Sequence, residues 1–191
     1  MLKGVSLALL LTVINACSYG FTSLKNPWEK DRVKTVTVPM FRNKTMEGNA
    51  ETYFTNSLRL YLVARSGKLK LVTGKADAYI DGELTNVIVS PASVQFGTAD
   101  TEAAGGLPKD RLLAISYTIT ATVTLKLIRT KDKKQLWSNT FSQSTNMASG
   151  TYTDQRSSSD VFIKESNKRQ ALAYLSDSMM TLAVDALLEG F

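Results

Sequence analysis

A strict alternation of residues between Ile115 and Leu127 constrains the fold of this chain more than any other feature. The odd positions are apolar, and the even positions are hydroxyl residues up to Lys126. A period of two over this length predicts a β-strand with one buried face, because a helix would spread the same apolar groups around its circumference. At about 3.3 Å per residue the strand would be roughly 40 Å long, about twice the usual length. The chain must therefore supply neighbouring strands and helices that cover the apolar face.

The other segments carry weaker patterns of the same two kinds. Alternating or β-branched residues predict four strands in all, over 33–41, 78–89, 111–128 and 135–147. Apolar residues spaced by three and four predict two amphipathic helices. The first spans 50–66 behind Asn49 as its N-cap. The second follows a capping box of Asn167 and Gln170 or begins earlier, near Asp160.

The order β-α-β-β-β-α predicts an α+β fold, with a four-stranded, mostly antiparallel sheet and two α-helices packed on one face. In the second strand we expect Ala78, Ile80, Leu84 and, at the far end, Ile88 to face the core. Pro91 is expected to end that strand, since proline cannot donate to a ladder. Residues 90–110 and 149–166 are therefore predicted to form two long loops.

The composition narrows the chemistry that the chain can perform. It has no histidine, which excludes histidine general bases and histidine zinc ligands, and Cys17 is its single cysteine, which excludes an intramolecular disulfide and a thiolate cluster. Neither a metal site nor a cofactor site is predicted. Asp81 and Glu83 share one side of a strand, with Asp77 nearby, so a carboxylate pair is geometrically allowed. Nothing else resembles an active site, and no enzymatic activity is expected.

The N-terminus has the pattern of an export signal. Lys3 precedes an apolar run that ends at Ile14, which is too short to cross a bilayer, since that takes about 20 residues. Residues 14–17, Ile-Asn-Ala-Cys, resemble the lipobox of bacterial lipoproteins, in which the cysteine becomes acylated, with groups such as palmitate, and starts the mature protein. Several acyl chains hold a protein durably at a membrane. We therefore predict that Cys17 is lipidated.

These patterns divide the chain into three parts: a signal peptide over 1–16, a lipidated linker over 17–31 and a single α+β domain over 32–191. Ser18, rather than aspartate, follows the cysteine, which resembles the sorting pattern for the outer membrane. The net charge of +6 indicates an anionic partner such as nucleic acid, phospholipid headgroups or a phosphorylated glycolipid. The export signal disfavours nucleic acid.

Four segments together resemble the LptE family of outer-membrane lipopolysaccharide-assembly lipoproteins of Gram-negative bacteria. They are 17–21 (Cys-Ser-Tyr-Gly-Phe), 36–45 (Val-Thr-Val-Pro-Met-Phe-Arg-Asn-Lys-Thr), the alternating third strand and the helix that follows Asn167. The resemblance implies a two-helix, four-strand domain that sits as a plug inside a large β-barrel partner, LptD. It also implies a lipid-anchored protein of the outer membrane that faces the periplasm, assists barrel folding, contacts lipopolysaccharide and catalyses no covalent reaction.

Two sets of residues are candidates for these contacts. The lumen of a barrel is polar, so short hydroxyls on the even face of the third strand suit hydrogen bonding to its wall. They are Ser116, Thr118, Thr120, Thr122 and Thr124. Lipopolysaccharide phosphates require basic side chains, and the resemblance places these contacts near the two long loops. The basic residues of those regions are Lys109, Arg111, Arg156, Lys164, Lys168 and Arg169.

Each assignment has an alternative. Threonine is common on a solvated sheet face, and basic residues are common on a solvated surface. The turn at 41–45, Phe-Arg-Asn-Lys-Thr, also resembles other periplasmic outer-membrane lipoproteins, which activate a cell-wall synthase or form part of a secretion assembly. Co-purification separates these functions, because a stoichiometric barrel favours lipopolysaccharide assembly and a peptidoglycan enzyme favours synthase activation.

Overall fold

The computed structural model describes residues 26–65, 67–96, 112–148 and 159–189. Within them the chain forms six strands and two helices, in the order β1-β2-α1-β3-β4-β5-β6-α2. Their bounds are β1 Thr35–Thr37, β2 Arg42–Asn43, α1 Ala50–Ala64, β3 Lys70–Leu71, β4 Ala78–Phe96, β5 Leu112–Arg129, β6 Gln135–Ala148 and α2 Ser159–Glu189. The α+β class and the two helices are confirmed.

The sheet is mixed and has six strands, so the prediction of four mostly antiparallel strands is wrong. The order across the sheet is β3-β1-β4-β5-β6, and β2 pairs with β4 beyond the end of β1. Strands β4, β5 and β6 are antiparallel, whereas β1 pairs in parallel with β3 and β4, and β2 in parallel with β4. The parallel pairs arise because α1 is the crossover between β2 and β3. The segment around Pro39, which cannot donate to a ladder, separates β1 from β2.

The long central strand is confirmed as β5. Its odd residues Ile119, Val123 and Leu127 are fully buried, while the even residues between them are half exposed. The helices supply the opposing core surface with the following buried residues: Phe54, Leu58 and Leu62 from α1, and Leu175, Met179, Met180 and Val184 from α2. Full burial of one such side chain contributes about 1.5–3 kcal/mol to stability. The core therefore lies on one face of the sheet, and the even face of β5 is left without a helical layer.

Strand β4 extends seven residues beyond the predicted end, to Phe96. Pro91 is tolerated there because, within the described chain, no strand pairs with β4 on its outer side beyond Leu84. A register shift between Leu84 and Asn86 reverses the inward and outward positions. Val87 therefore packs against the core, while Ile88, which we expected to face it, is 49% exposed.

The predicted N-terminal caps of both helices need correction. Helix α2 begins at Ser159, which confirms the earlier of its two predicted starts, so Asn167 and Gln170 lie inside it rather than in a capping box. Once the apolar C-terminal part is packed, the helix propagates towards its N-terminus at low cost, since elongation is far easier than nucleation. Helix α1 starts at Ala50 as predicted, but Asn49 has a left-handed backbone (φ 64°) and its side chain makes no capping hydrogen bond. The remaining residues of the two predicted loops, 97–110 and 149–158, lie outside the described residues.

Candidate functional site

A ladder of hydroxyl groups covers the face of the sheet opposite the helices. Residues on the even face of β5 are hydrogen-bonded across the strand gap to residues of β6. The pairs are Thr118 Oγ1 to Asn146 Oδ1 at 2.8 Å, Thr120 to Ser144 at 2.7 Å, Thr122 to Ser142 at 3.0 Å and Thr124 to Thr140 at 3.0 Å. On the other side of β5, Ser116 and Ser93 of β4 are joined at 2.5 Å. The five predicted residues therefore do lie on one continuous surface, which we call the hydroxyl face.

The hydroxyl face is preorganised for further hydrogen bonding. A hydroxyl has one donor and two acceptor sites, so one lateral bond leaves each Thr–Ser pair able to bind an external group. The lateral bonds also restrict the side-chain rotamers, which lowers the entropy lost on binding. Within the described residues neither helix lies over this face, and its β6 members Thr140, Ser142 and Ser144 are exposed. The arrangement suits a polar partner surface and offers no nucleophile activated by a base.

Ion pairs lie at one end of the hydroxyl face. Arg42 Nη2 lies 2.8 Å from Asp81 Oδ2 and 3.2 Å from Glu83 Oε2, and Lys44 Nζ lies 2.8 Å from Glu83 Oε1. The hydrogen bond from Lys44, reinforced by the nearby charges of Arg42 and Lys126, lowers the pKa of Glu83. A general acid would need the opposite shift. These carboxylates hold β2 against β4.

Asp77, the third carboxylate of the enzyme alternative, also has a structural role. Its Oδ2 accepts hydrogen bonds from Lys34 N at 3.0 Å, Thr35 N at 2.9 Å and Thr35 Oγ1 at 2.8 Å. These bonds, above all the one from the Lys34 amide, lower the pKa of Asp77 below 3.8. Asp77 therefore joins β1 to the start of β4. Among the described side chains, no group of three or more histidine, cysteine or acidic residues could hold a metal ion.

The predicted glycolipid contacts are only partly visible. Lys109, Arg111 and Arg156 lie outside the described residues, as does the predicted lipidation site Cys17, and Lys164 lies in α2 with no description of its side chain. Lys168 and Arg169 stay predictions as well, but their surroundings can be described and they differ. Lys168 is 17% exposed, and its Nζ lies 2.8 Å from Glu47 and 3.0 Å from Glu165. Burial opposes its charge, yet these two hydrogen bonds raise the pKa of Lys168 overall. Arg169, the next residue, is exposed.

Sequence analysis missed the partners of the hydroxyl face on β6. The signal was present but weaker than in β5: the even positions Ser138, Thr140, Ser142, Ser144 and Asn146 are all polar, whereas only some odd positions, Trp137, Phe141 and Met147, are apolar. The missed pairing of β2 with β4 had a weaker signal, since two residues are too few to show a period.

Comparison with known proteins places the chain in a family. A family model described as "LptE: Lipopolysaccharide-assembly" matches residues 33–188, which is most of the sequence. No curated protein matches the sequence significantly. The family is one of non-enzymatic lipoproteins, which agrees with the expectation that the chain is not an enzyme.

Solved structures that are similar to this chain are distant from it in sequence. The hypothetical protein CT253 from Chlamydia trachomatis is 11% identical with a TM-score of 0.50, over 83% of this chain and 97% of that one. A putative neuraminyllactose-binding hemagglutinin homolog from Helicobacter pylori is 14% identical with a TM-score of 0.49, over 80% and 81%. A minor lipoprotein from Acinetobacter baumannii is 10% identical with a TM-score of 0.43, over 82% and 97%. The length and position of the family match establish that this chain belongs to the LptE family of lipopolysaccharide-assembly proteins.

Proposed function

We propose that this chain is the lipoprotein component of an outer-membrane lipopolysaccharide-assembly complex, in which it plugs a β-barrel partner of the LptD type. The observation that carries the proposal is the hydroxyl face, which combines four lateral side-chain hydrogen bonds between β5 and β6 with the absence of a helical cover in the described chain. A barrel lumen is polar, so a hydroxyl surface can exchange water for wall groups without burying an unpaired charge.

The membrane attachment in this proposal is an acylated Cys17 at the start of the mature chain. The domain side of the tether is well fixed, because Trp28 is 7% exposed and its Nε1 donates to Leu187 O at 3.0 Å. That carbonyl belongs to the last turn of α2, where backbone acceptors have no partner within the helix. The anchor would therefore hold the domain within eleven residues of the bilayer surface, counted from Cys17 to Trp28.

For the glycolipid we assign Arg169 ahead of Lys168. A phosphate that binds Lys168 must displace two carboxylates, Glu47 and Glu165, whereas Arg169 is exposed and can offer a bidentate guanidinium. Arg169→Glu should weaken lipopolysaccharide binding several-fold. Lys75→Glu is a matched control, since Lys75 is exposed and precedes β4 at the opposite end of the sheet. Equal binding by both variants would remove Arg169 from the site.

The partner is tested by purifying the membrane-bound protein in detergent and identifying what accompanies it. We expect a β-barrel protein in about equimolar amount, and depletion of the chain should reduce both this complex and surface lipopolysaccharide. Thr122→Lys places a charge in the middle of the hydroxyl face and should release the barrel. Asn56→Lys adds the same charge to the exposed side of α1 and should retain it.

A peptidoglycan enzyme in place of the barrel would refute the proposal in favour of synthase activation. Normal surface lipopolysaccharide after depletion would also refute it. If Thr122→Lys and Asn56→Lys retain the barrel equally, the partner is correct but the hydroxyl face is not the surface that it contacts.

A further inference from the structure

The sheet has two long open edges in the described part of the chain. One is the outer side of β4 beyond Leu84, and the other is the outer side of β6 from Gln135 to Ala148. An open edge presents a row of backbone N–H and C=O groups that can pair with a strand of another molecule. Natural proteins usually protect such an edge with proline, charges, bulges or a very short strand.

The β4 edge and the short β3 edge are both protected. Pro91 removes a donor from the β4 edge, and register shifts between Leu84 and Asn86 and on either side of Ser93 break its regularity. Strand β3 has only two residues, of which Lys70 is exposed and charged. Neither edge is a good template for another strand.

The β6 edge lacks these forms of protection over most of its length, since its one register shift lies near its start, between Trp137 and Gln135. Its fourteen residues include no proline and no charged side chain. It pairs with β5 in unbroken register from Ser116 opposite Ala148 to Leu127 opposite Trp137, so it has no bulge over this stretch. A long, regularly paired and uncharged edge is a liability unless it is used for association.

The sequence of β6 is complementary to itself in one register. If two copies pair antiparallel with Ser142 opposite Ser142, residues whose numbers sum to 284 face each other and nearly the whole strand is paired. Thr140 then meets Ser144, which repeats the Thr–Ser pairing already present between β5 and β6, and Ser138 meets Asn146, a hydroxyl–amide pair of the same kind as Thr118 with Asn146. On the other face Trp137 meets Met147, an apolar pair. No like charges are brought opposite each other.

A cavity adjoins this edge on the helix side of the sheet. Residues opposite each other share a face of the sheet, so both α2 helices lie on one side of the joined sheet. A cavity of about 370 Å³ lies between β6 and α2 at the Met147 end, where Tyr174 is 63% exposed. In the self-paired register the Trp137 end of the second copy lies next to that cavity.

We propose that β6 is a homodimerisation edge, through which two copies pair antiparallel about Ser142 to form one continuous sheet. This state needs no barrel partner and is independent of the proposed function. Its ligand is a second copy of this chain, recognised by backbone hydrogen bonds and by a hydroxyl ladder that continues from β5 through β6 into the partner.

Cysteine crosslinking tests both the edge and the register. In the full chain, Ser142→Cys should form an intermolecular disulfide, because opposed Cα atoms are 4.5–5.5 Å apart and a disulfide spans 4.4–6.8 Å. Thr140→Cys should give about tenfold less dimer, because it lies four residues, roughly 13 Å, from its copy. A mixture of Thr140→Cys and Ser144→Cys chains should again crosslink. The parent chain reports any dimer formed through Cys17.

A non-covalent readout keeps the test independent of thiol chemistry. Ser142→Lys sets two ammonium groups opposite each other and should convert the purified dimer to monomer in light scattering, whereas Asn56→Lys, on the exposed side of α1 and away from the edge, should remain dimeric. The proposal would be overturned if Ser142→Cys gives no more disulfide dimer than the parent, or if Thr140→Cys alone crosslinks equally well. A monomeric unmodified protein would also overturn it, as would the finding that another segment of the chain covers the β6 edge.

Discussion

The contact between Phe41 and Gly82 gives the sharpest prediction for stability. Phe41 is 3% exposed and its backbone N–H donates to Thr55 Oγ1 at 3.0 Å. Its ring lies directly over Gly82 of β4, where an added Cβ would come 2.3 Å from Cδ1 and 2.4 Å from Cε1 of the ring. Because such distances are far below van der Waals contact, the ring and an alanine at position 82 cannot both keep their places.

The two substitutions should therefore be strongly non-additive. Gly82→Ala should cost about 1–3 kcal/mol through overpacking, and Phe41→Ala about 3–5 kcal/mol through lost burial and a cavity. In the double variant the new methyl group occupies space that the ring has left. We expect it to be no less stable than Phe41→Ala alone, which corresponds to a coupling energy of about −1 to −3 kcal/mol.

Urea denaturation of the four proteins measures this cycle. Each kcal/mol should also shift the melting temperature by about 2–4 °C in a chain of this size. If Gly82→Ala costs the same with and without the ring, the two sites do not share space and the packing of β2 on β4 is wrong. The result matters for the site, because Phe41 directly precedes Arg42 of β2, which forms ion pairs at the end of the hydroxyl face.

Three further substitutions test separate parts of the structure. The folded-state pKa of Asp77 is below its unfolded value, so its contribution to the free energy of unfolding is present above about pH 4 and is lost as pH falls through the folded pKa. In urea titrations Asp77→Asn should therefore be less stable than the parent at pH 7, and this difference in unfolding free energy should shrink at pH 3. Trp28→Phe removes the donor to Leu187 O and should cost about 1–3 kcal/mol of unfolding free energy, and no loss would mean that the Trp28 hydrogen bond is not made. Thr122→Val removes one lateral hydrogen bond on a half-exposed surface, so it should lower the free energy of unfolding by only about 0.2–1 kcal/mol while the amount of co-purified barrel protein falls. A large loss of thermal stability would instead indicate that the hydroxyl ladder serves to stabilise the fold.

The central strand and the hydroxyl face could be predicted because their signal is local and repeated. Each residue from Ile115 to Leu127 adds to the same period of two, so single exceptions do not obscure the buried face. The same holds for α1, which begins at Ala50 as expected.

The short strands, the true end of β4 and its bulge could not be predicted, because they depend on contacts between distant parts of the chain. Strands β2 and β3 have two residues each and form only because β4 and β1 lie beside them. Pro91 was expected to end β4, but an edge without a neighbour does not need its N–H. The bulge after Leu84, which turns Ile88 outward, arises in the pairing with β5 and has no period of its own in the sequence.

In the candidate site, too, features with a local sequence signal could be predicted and features that depend on distant contacts could not. Its hydroxyls were predictable as a set, whereas the carboxylates of Glu47 and Glu165 that bind Lys168 come from two elements and could not be assigned from one pattern. The basic residues near 97–111 and 149–158 remain predictions.

The account rests on the hydroxyl face being the surface that a barrel protein encloses. Site-specific photo-crosslinking in intact cells tests this most directly, with the photoreactive residue at position 120 or 122 and, as the control, at the exposed position 56 on α1. The account predicts adducts from positions 120 and 122 to one outer-membrane β-barrel protein, and at most weak adducts from position 56. Adducts from position 56 alone, or none to a barrel protein from positions 120 and 122, would contradict it.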